Sequence, residues 1–381
     1  MGWLDSLFQA VGNIRCEWRT MRQRRFHFLI FFVTGRCNAR CPFCFYWRER
    51  GQEADELSLT EIERLAQTTP PFDILLLSGG EPFLRADLAG LVSLFNQHSG
   101  IRVASIPTNG LLPERVTSTT KRILESNPEL HLSINLSLDG LGELHDRTRG
   151  VTGSFGKVEE CVSLLTQLRQ SYPGRLEVTL NSVICAENYE TLPKLARYAA
   201  THYDLDGHFF EIIRGDPEDE STKAVPHEAL RRVYEQVFPI QMGYFRRRAR
   251  GSFPLRWWRR MTFAGNLLYQ YRTQYGNYAH GRRWDAPCLA GQTIAVVDYN
   301  GNVRACELHT PIANLRDHGG DFGAIYCSSA MEPERMQAQS HQCDCTHVCF
   351  ITSSRMHSPR ARFWLVPWLY LRYLLFRQVV G

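Results

Sequence analysis

Three cysteines stand close together in the first part of this 381-residue chain, Cys37, Cys41 and Cys44. A C-x3-C-x2-C run lets three thiolates hold three corners of a four-iron cubane. The loop supplies no fourth thiolate, so one iron stays open to an outside ligand. An open iron suits a reactive cluster better than one that only carries electrons. A single zinc ion completed by a distant fourth ligand is the alternative for the same loop. A second group lies towards the C-terminus: Cys288, Cys306, Cys343, Cys345 and Cys349, with Cys327 in a loop between them. Zinc is the alternative there too. Cys16, Cys161 and Cys185 stand apart and read as ordinary thiols.

These groups need a frame to hold them. At 44% hydrophobic the chain has ample material for a packed core. The spacing predicts strands over 26–34, 73–78, 102–107, 132–138, 176–184 and 207–213. Helices are expected between them, over 60–67, 87–98, 113–126, 154–170 and 189–200, the first opened by Thr60 with Glu63 three residues on. Strands alternating with helices argue for parallel β/α units. Six such units are legible and eight are not, so the expected fold is α/β, a partial (β/α)6 barrel with a small C-terminal cysteine-rich module. Cys37–Cys44 then follows the first strand, at the carboxyl edge where such sheets bind ligands.

Further motifs close the next strands in order. Ser78-Gly79-Gly80-Glu81-Pro82 follows the second strand, with small residues that let backbone approach a ligand and a carboxylate beside it. Thr108-Asn109-Gly110 closes the third. Ser137-Leu138-Asp139-Gly140 closes the fourth, where Ser137 and Asp139 can bond sugar hydroxyls. His145-Asp146-Arg147-Thr148-Arg149-Gly150 comes next, and Asn181 lies on the fifth strand.

Taken together, over roughly 27–215, these motifs resemble the radical S-adenosylmethionine (SAM) superfamily. The resemblance implies that Cys37, Cys41 and Cys44 hold a 4Fe–4S cluster whose open iron is chelated by SAM. It implies SAM contacts at Phe43, Gly79, Gly80, Glu81, Pro82, Thr108, Asn109, Ser137, Asp139 and Asn181. An arginine is expected on the SAM carboxylate, Arg147 being favoured and Arg149 its rival. The implied reaction is reductive cleavage of SAM to a 5′-deoxyadenosyl radical, which abstracts hydrogen from an unactivated C–H bond. No catalytic residue is assigned beyond the cluster. A low-potential donor of flavodoxin or ferredoxin type is the implied electron source.

Cys288, a spacer, and Gly301-Asn302-Val303-Arg304-Ala305-Cys306 resemble the start of a SPASM or twitch module, which holds auxiliary iron–sulfur clusters. Tyr299–Asn302 reads as a hairpin turn. A full SPASM module uses seven cysteines, more than are well placed here, so one auxiliary 4Fe–4S cluster is expected. Its expected ligands are Cys288, Cys306, Cys345 and Cys349, with Cys343 the rival for one place. His347 is expected to be a hydrogen-bonding neighbour.

The expected organisation is an amphipathic segment at 1–25, the radical SAM core at 26–215, a basic and aromatic connection at 216–286, the cluster module at 287–352 and an apolar aromatic segment at 353–381. Net charge is +5, too mild to imply nucleic acid by itself. Arginines 246, 247, 248, 250, 256, 259 and 260 cluster with Phe253, Trp257 and Trp258, and Phe363–Arg377 is dense in Trp, Tyr, Leu and Arg. That composition suits a membrane interface, or a helix packed over the barrel mouth. No secretory signal is readable and no apolar run reaches the length of a span. The expectation is a cytoplasmic protein, peripheral on the cytoplasmic face of an anionic membrane, acting on a lipid or polyprenyl-type molecule. A peptide substrate is the alternative, nucleic acid is not expected, and an iron–sulfur electron carrier is the reading from outside enzymology.

Overall fold

The chain was analysed as a computed structural model that describes residues 25–51, 55–248, 253–341, 343 and 345–380. The expected amphipathic segment 1–25, apart from Arg25, lies outside the described residues, as does Cys16.

Strand β1 (Phe28–Thr34) reads Phe-Leu-Ile-Phe-Phe-Val-Thr and is buried over six of its seven positions. An unbroken apolar run of this kind belongs in a parallel sheet covered on both faces. Helix α1 (Leu59–Thr68) begins two residues earlier than Thr60 suggests. Ser58 caps it in a reciprocal box with Glu61, because the Ser58 hydroxyl reaches the free Glu61 amide and the Glu61 carboxylate reaches back.

The repeat continues as β2 (Ile74–Gly79), α2 (Leu88–Ser99), β3 (Val103–Thr108), α3 (Pro113–Ser126), β4 (His131–Ser137), α4 (Glu143–Arg149), α5 (Ser154–Ser171), β5 (Leu176–Ile184), α6 (Leu192–His202) and β6 (Gly207–Ile212). Two long helices follow, α7 (His227–Arg248) and α8 (Phe253–His280). The cysteine-rich part carries β7 (Ile294–Val297), β8 (Asn302–Arg304), β9 (Ala313–Asn314), α9 (Phe322–Tyr326), α10 (Glu332–Gln339) and α11 (Val348–Met356), and the chain closes with α12 (Val366–Phe376).

One sheet holds all these strands, in the order β6-β5-β4-β3-β2-β1-β7-β8-β9. Strands β1 to β6 pair in parallel, so six carboxyl ends share one edge. Strand β7 also runs parallel to β1, with Phe28 opposite Ile294 and Phe31 opposite Val297. The sheet therefore passes without a break from the core into the cysteine-rich part. Strand β8 then turns back on β7 through a tight bend at Asp298–Gly301, where Gly301 takes φ +89°.

Outside the sheet, α7 and α8 pair as a helical hairpin, with Phe245 stacked on Phe263 at 4.9 Å and Tyr234 on Tyr271 at 4.1 Å. Helix α12 seats on α8 where Gly265 leaves room. A Cβ there would lie 2.5 Å from the Val366 carbonyl oxygen.

Candidate functional site

The first cysteine loop leaves β1 and is clamped by its neighbours. The Gly80 amide donates to the Thr34 carbonyl at 2.9 Å, and the Glu81 amide to the Arg36 carbonyl at 2.7 Å. This contact requires glycine: a Cβ on Gly80 would sit 2.0 Å from the Arg36 oxygen and 3.1 Å from the Cys37 Cβ. On the other side the Arg40 amide donates to the Arg149 carbonyl at 2.9 Å.

Glu81 is almost fully buried and turns its carboxylate onto protein donors. It accepts from the Thr108 hydroxyl at 2.8 Å, the Asn109 amide at 2.7 Å and the Phe83 amide at 3.2 Å. Burial pushes its carboxyl up to about 7, while those donors pull the other way. Glu81 thus ties the end of β3 to the turn at Pro82. Asn109, held by that tie, donates to the Asn38 side chain at 2.7 Å and lies 4.0 Å from the Cys37 sulfur.

The two candidate arginines part company on α4. Two residues along a helix is a turn of about 200°, so they cannot face the same way. Arg147 is exposed, whereas Arg149 is buried under the cysteine loop. Its Nη1 donates to Cys41 Sγ at 3.6 Å, its Nη2 contacts the fully buried Asp139, and its guanidinium carbon lies 5.4 Å from the Phe43 ring centre. Burial opposes the charge on Arg149, but Asp139 and Cys41 outweigh it and hold the guanidinium protonated. Asp139 also accepts from the Val183 amide at 2.7 Å. Ser137 on β4 stands in register with Asn181 on β5.

Burial raises the Cys37 thiol to about 11 and the Cys44 thiol to about 12, with Cys41 also raised. Loading a metal centre here must therefore release protons.

The second group also converges. Cys288, Cys306, Cys343 and Cys345 line a cavity of about 200 Å³, with His309 and Phe350 completing its wall. Cys349 is not among the lining residues, and the charges of Glu211, Arg214 and Glu307 act on its thiol. Among the described residues no three His, Cys, Asp or Glu side chains close on a point that a single metal ion would fill. Sulfurs around one zinc ion lie within about 4 Å of each other. Cubane thiolates stand farther apart, because each binds a different iron.

Between the two groups lies a buried ionic link that the sequence did not announce. Arg214, just past β6, donates through Nε to Glu307 at 2.8 Å and through Nη1 to Glu211 at 3.2 Å. Its guanidinium lies 4.8 Å from the ring centre of Phe45, the residue after Cys44. Glu307 follows Cys306 and also meets His347 Nε2 at 2.9 Å. Burial raises the Glu307 carboxyl, but His347 and Arg214 outweigh it and hold it down at about 2. Gly215 fills the remaining gap: a Cβ there would lie 2.8 Å from the Phe45 Cβ and 3.2 Å from Leu308. The end of β6 thus wedges the two cysteine loops into a fixed relation.

Residues 31–199 match the model of the radical SAM superfamily. Fe-coproporphyrin III synthase of Methanosarcina barkeri is 28% identical over 229 residues, 56% of this chain and 54% of the relative. A GTP 3′,8-cyclase of Stenotrophomonas maltophilia is 30% identical over 206 residues, 51% of this chain and 58% of the relative. The chain thus spans little more than half the length of these curated relatives. Among solved structures, native anSMEcpe with bound AdoMet and Cp18Cys peptide superposes at TM-score 0.60 and 17% identity, covering 93% of this chain and 98% of that one. Streptococcus suis SuiB bound to S-adenosylmethionine superposes at 0.54 and 17%, covering 86% and 73%. At these identities the likeness is one of fold.

The cofactors of such a domain are SAM and a 4Fe–4S cluster, and the residues present fit both. Three thiols share one loop, and that loop is held by glycines that admit no side chain. Among the described residues, the buried Arg149 Nε and Asn181 Oδ1 are two of the side-chain atoms that have no hydrogen-bond partner. By its motifs, its parallel sheet and the match over that stretch, residues 31–199 form a domain of the radical SAM superfamily.

Proposed function

We propose that this protein is a radical SAM enzyme that abstracts hydrogen from an unactivated C–H bond, with a second iron–sulfur cluster in a shortened SPASM- or twitch-like module. The observation that carries the reading is the three-thiol loop at the carboxyl edge of six parallel strands, with the buried Arg149 guanidinium set against Cys41. When bound, such a cluster and SAM supply one-electron cleavage of the sulfonium and the hydrogen abstraction that follows.

The chain's own residues bind and orient. Cys37, Cys41 and Cys44 hold the cluster. Arg149, in preference to Arg147, takes the SAM carboxylate, because its buried Nε lacks a partner among the described residues. Ser137 and Asn181, in register on neighbouring strands, face the nucleoside. Gly79, Gly80 and Pro82 admit the ligand's backbone contacts, while Glu81 with Thr108 and Asn109 fixes the loops around them. Phe43 and Asp139 complete the wall. Cys288, Cys306, Cys343 and Cys345 hold the auxiliary cluster, with Cys343 in the place the sequence reading gave to Cys349; their common cavity supports this set. A low-potential flavodoxin- or ferredoxin-type donor supplies the electron.

The substrate is a lipid or polyprenyl-type molecule reached from a membrane surface, a reading supported by the exposed aromatic face of α12. A peptide is the second reading, supported by the peptide in the anSMEcpe complex. The test is 5′-deoxyadenosine release by anaerobically reconstituted protein with reductant, offered membrane lipid extract or a cytosolic peptide fraction. Stimulation by one fraction alone assigns the class. In the same assay Cys41→Ala abolishes 5′-deoxyadenosine while the auxiliary iron stays in place. Continued release by that variant overturns the cluster assignment, and absence of SAM binding by the unaltered protein returns the chain to an electron carrier.

A further inference from the structure

Helix α12 is apolar on two opposite faces, and among the described residues only one of them is covered. Val366, Leu369, Tyr370 and Tyr373, spaced i, i+3, i+4 and i+7, turn inward, and Tyr373 meets Phe238 of α7 edge-on at 4.7 Å. Trp364, in the π-helical turn Ala361–Leu365 that leads into α12, precedes Trp368, Leu371 and Leu375, which form the opposite stripe. The four are 77%, 50%, 52% and 75% exposed, and Phe376 beside them is 65% exposed. A helix on a soluble surface normally turns a polar face to water, and a contiguous apolar stripe of this size marks an interaction site.

Charge identifies the partner. Residues 236–284, which contain most of α7 and all of α8, hold ten arginines and no aspartate or glutamate. Residues 345–381, which contain α11 and α12, hold five more arginines and again no carboxylate. The whole chain is only +5, so the rest of the sequence is net acidic and the cation is concentrated in these two stretches. Arg246, Arg247, Arg256, Arg259, Arg360 and Arg377 are exposed in them. Arg372 lies over the Trp368 ring at 5.5 Å, which keeps a cation at the edge of the stripe.

Nucleic acid would use the arginines but leaves four large apolar side chains in water. A neutral apolar partner would use the stripe but not the charge. Tryptophan and leucine flanked by arginine, with no acid, match the boundary between acyl chains and anionic headgroups. No helix among the described residues is long and apolar enough to cross a membrane, so α12 would lie in the plane of the surface. We propose that α12, backed by α7 and α8, docks the protein on anionic bilayers through Trp364, Trp368, Leu371 and Leu375. This docking is independent of which substrate the cofactor site acts on.

The test is sedimentation of the full-length, cluster-loaded protein with vesicles of phosphatidylcholine alone or with about one third phosphatidylglycerol. Binding to the anionic vesicles is expected, weakened by salt. Replacing the four stripe residues by serine, all at exposed positions, should weaken it by roughly a hundredfold or more, with melting temperature and iron content unchanged. Tryptophan emission of the unaltered protein should shift to the blue on vesicles, and this shift should be lost in the variant. The proposal is overturned if the full chain ignores anionic vesicles, or if the four-serine variant binds them as well as the parent. Two further results also overturn it: a dimer that dissociates in that variant without any vesicle binding, or binding to a single-stranded oligonucleotide that vesicles do not displace.

Discussion

Replacing Arg214 by methionine tests the link between the two cysteine loops. Met keeps much of the aliphatic stem and its packing on Phe45 but removes the guanidinium. Glu307, whose side chain is only 3% exposed, then loses its 2.8 Å partner and keeps only His347. Breaking a buried ion pair from one side costs about 3–5 kcal/mol, because the remaining charge stays desolvated. His347 at 2.9 Å retains part of the compensation, which places the expected loss near the lower end, about 3 kcal/mol. For a chain of this size that is a drop of roughly 4 °C in melting temperature. The assay is anaerobic thermal melting of the cluster-loaded protein, with the auxiliary cluster followed by its electron paramagnetic resonance. The double variant Arg214→Met, Glu307→Leu removes the stranded charge and should recover part of the loss. A melting temperature within a degree or so of the parent, or strictly additive losses in the double variant, would refute the claim that this pair joins the two loops.

Two further predictions follow from the same geometry. Arg149→Lys keeps a charge beside Asp139 but loses the planar fork, so SAM affinity should fall about tenfold. Arg147→Gln, at an exposed position, should leave affinity within about twofold; anaerobic equilibrium dialysis with labelled SAM distinguishes the two, and the reverse order would return the role to Arg147. His27 is buried just before β1, and burial together with nearby His357 lowers its pKa from 6.5 to about 4. Below pH 6.5 the unfolded chain binds a proton that the native state refuses, so stability falls with pH until about 4, by up to about 3 kcal/mol. His27→Phe should flatten melting temperature against pH across that window, and an unchanged slope would remove His27 from the account.

Much of the fold was legible because its signals are local. Each strand from β1 to β6 is a short apolar run bounded by turn residues, and each connecting helix except α4 has a readable pattern. The Cys37–Cys44 spacing, the Gly79–Pro82 turn and the Thr108–Gly110 turn lie directly after strands, and parallel pairing then forces those strand ends onto one edge. Helix α4 was missed because its seven residues span barely two turns. The flanking Gly142 and Gly150, both at positive φ, were the available signal. Read as a helix, the segment would have set Arg147 and Arg149 on different faces.

What the sequence alone determined is therefore local: which cysteines stand close along the chain, which glycine-rich turns follow the strands, and the alternation that builds a parallel sheet. These follow from spacing along the chain, where backbone geometry is the same in any context. The tertiary structure decided the rest. It placed Cys343 with Cys288, Cys306 and Cys345 around one cavity that Cys349 does not line. It joined Arg214 to Glu307 across 93 residues, and it chose which apolar face of α12 is buried against α7 and α8. Those outcomes depend on which surfaces lose water together, and no spacing within a single segment encodes that.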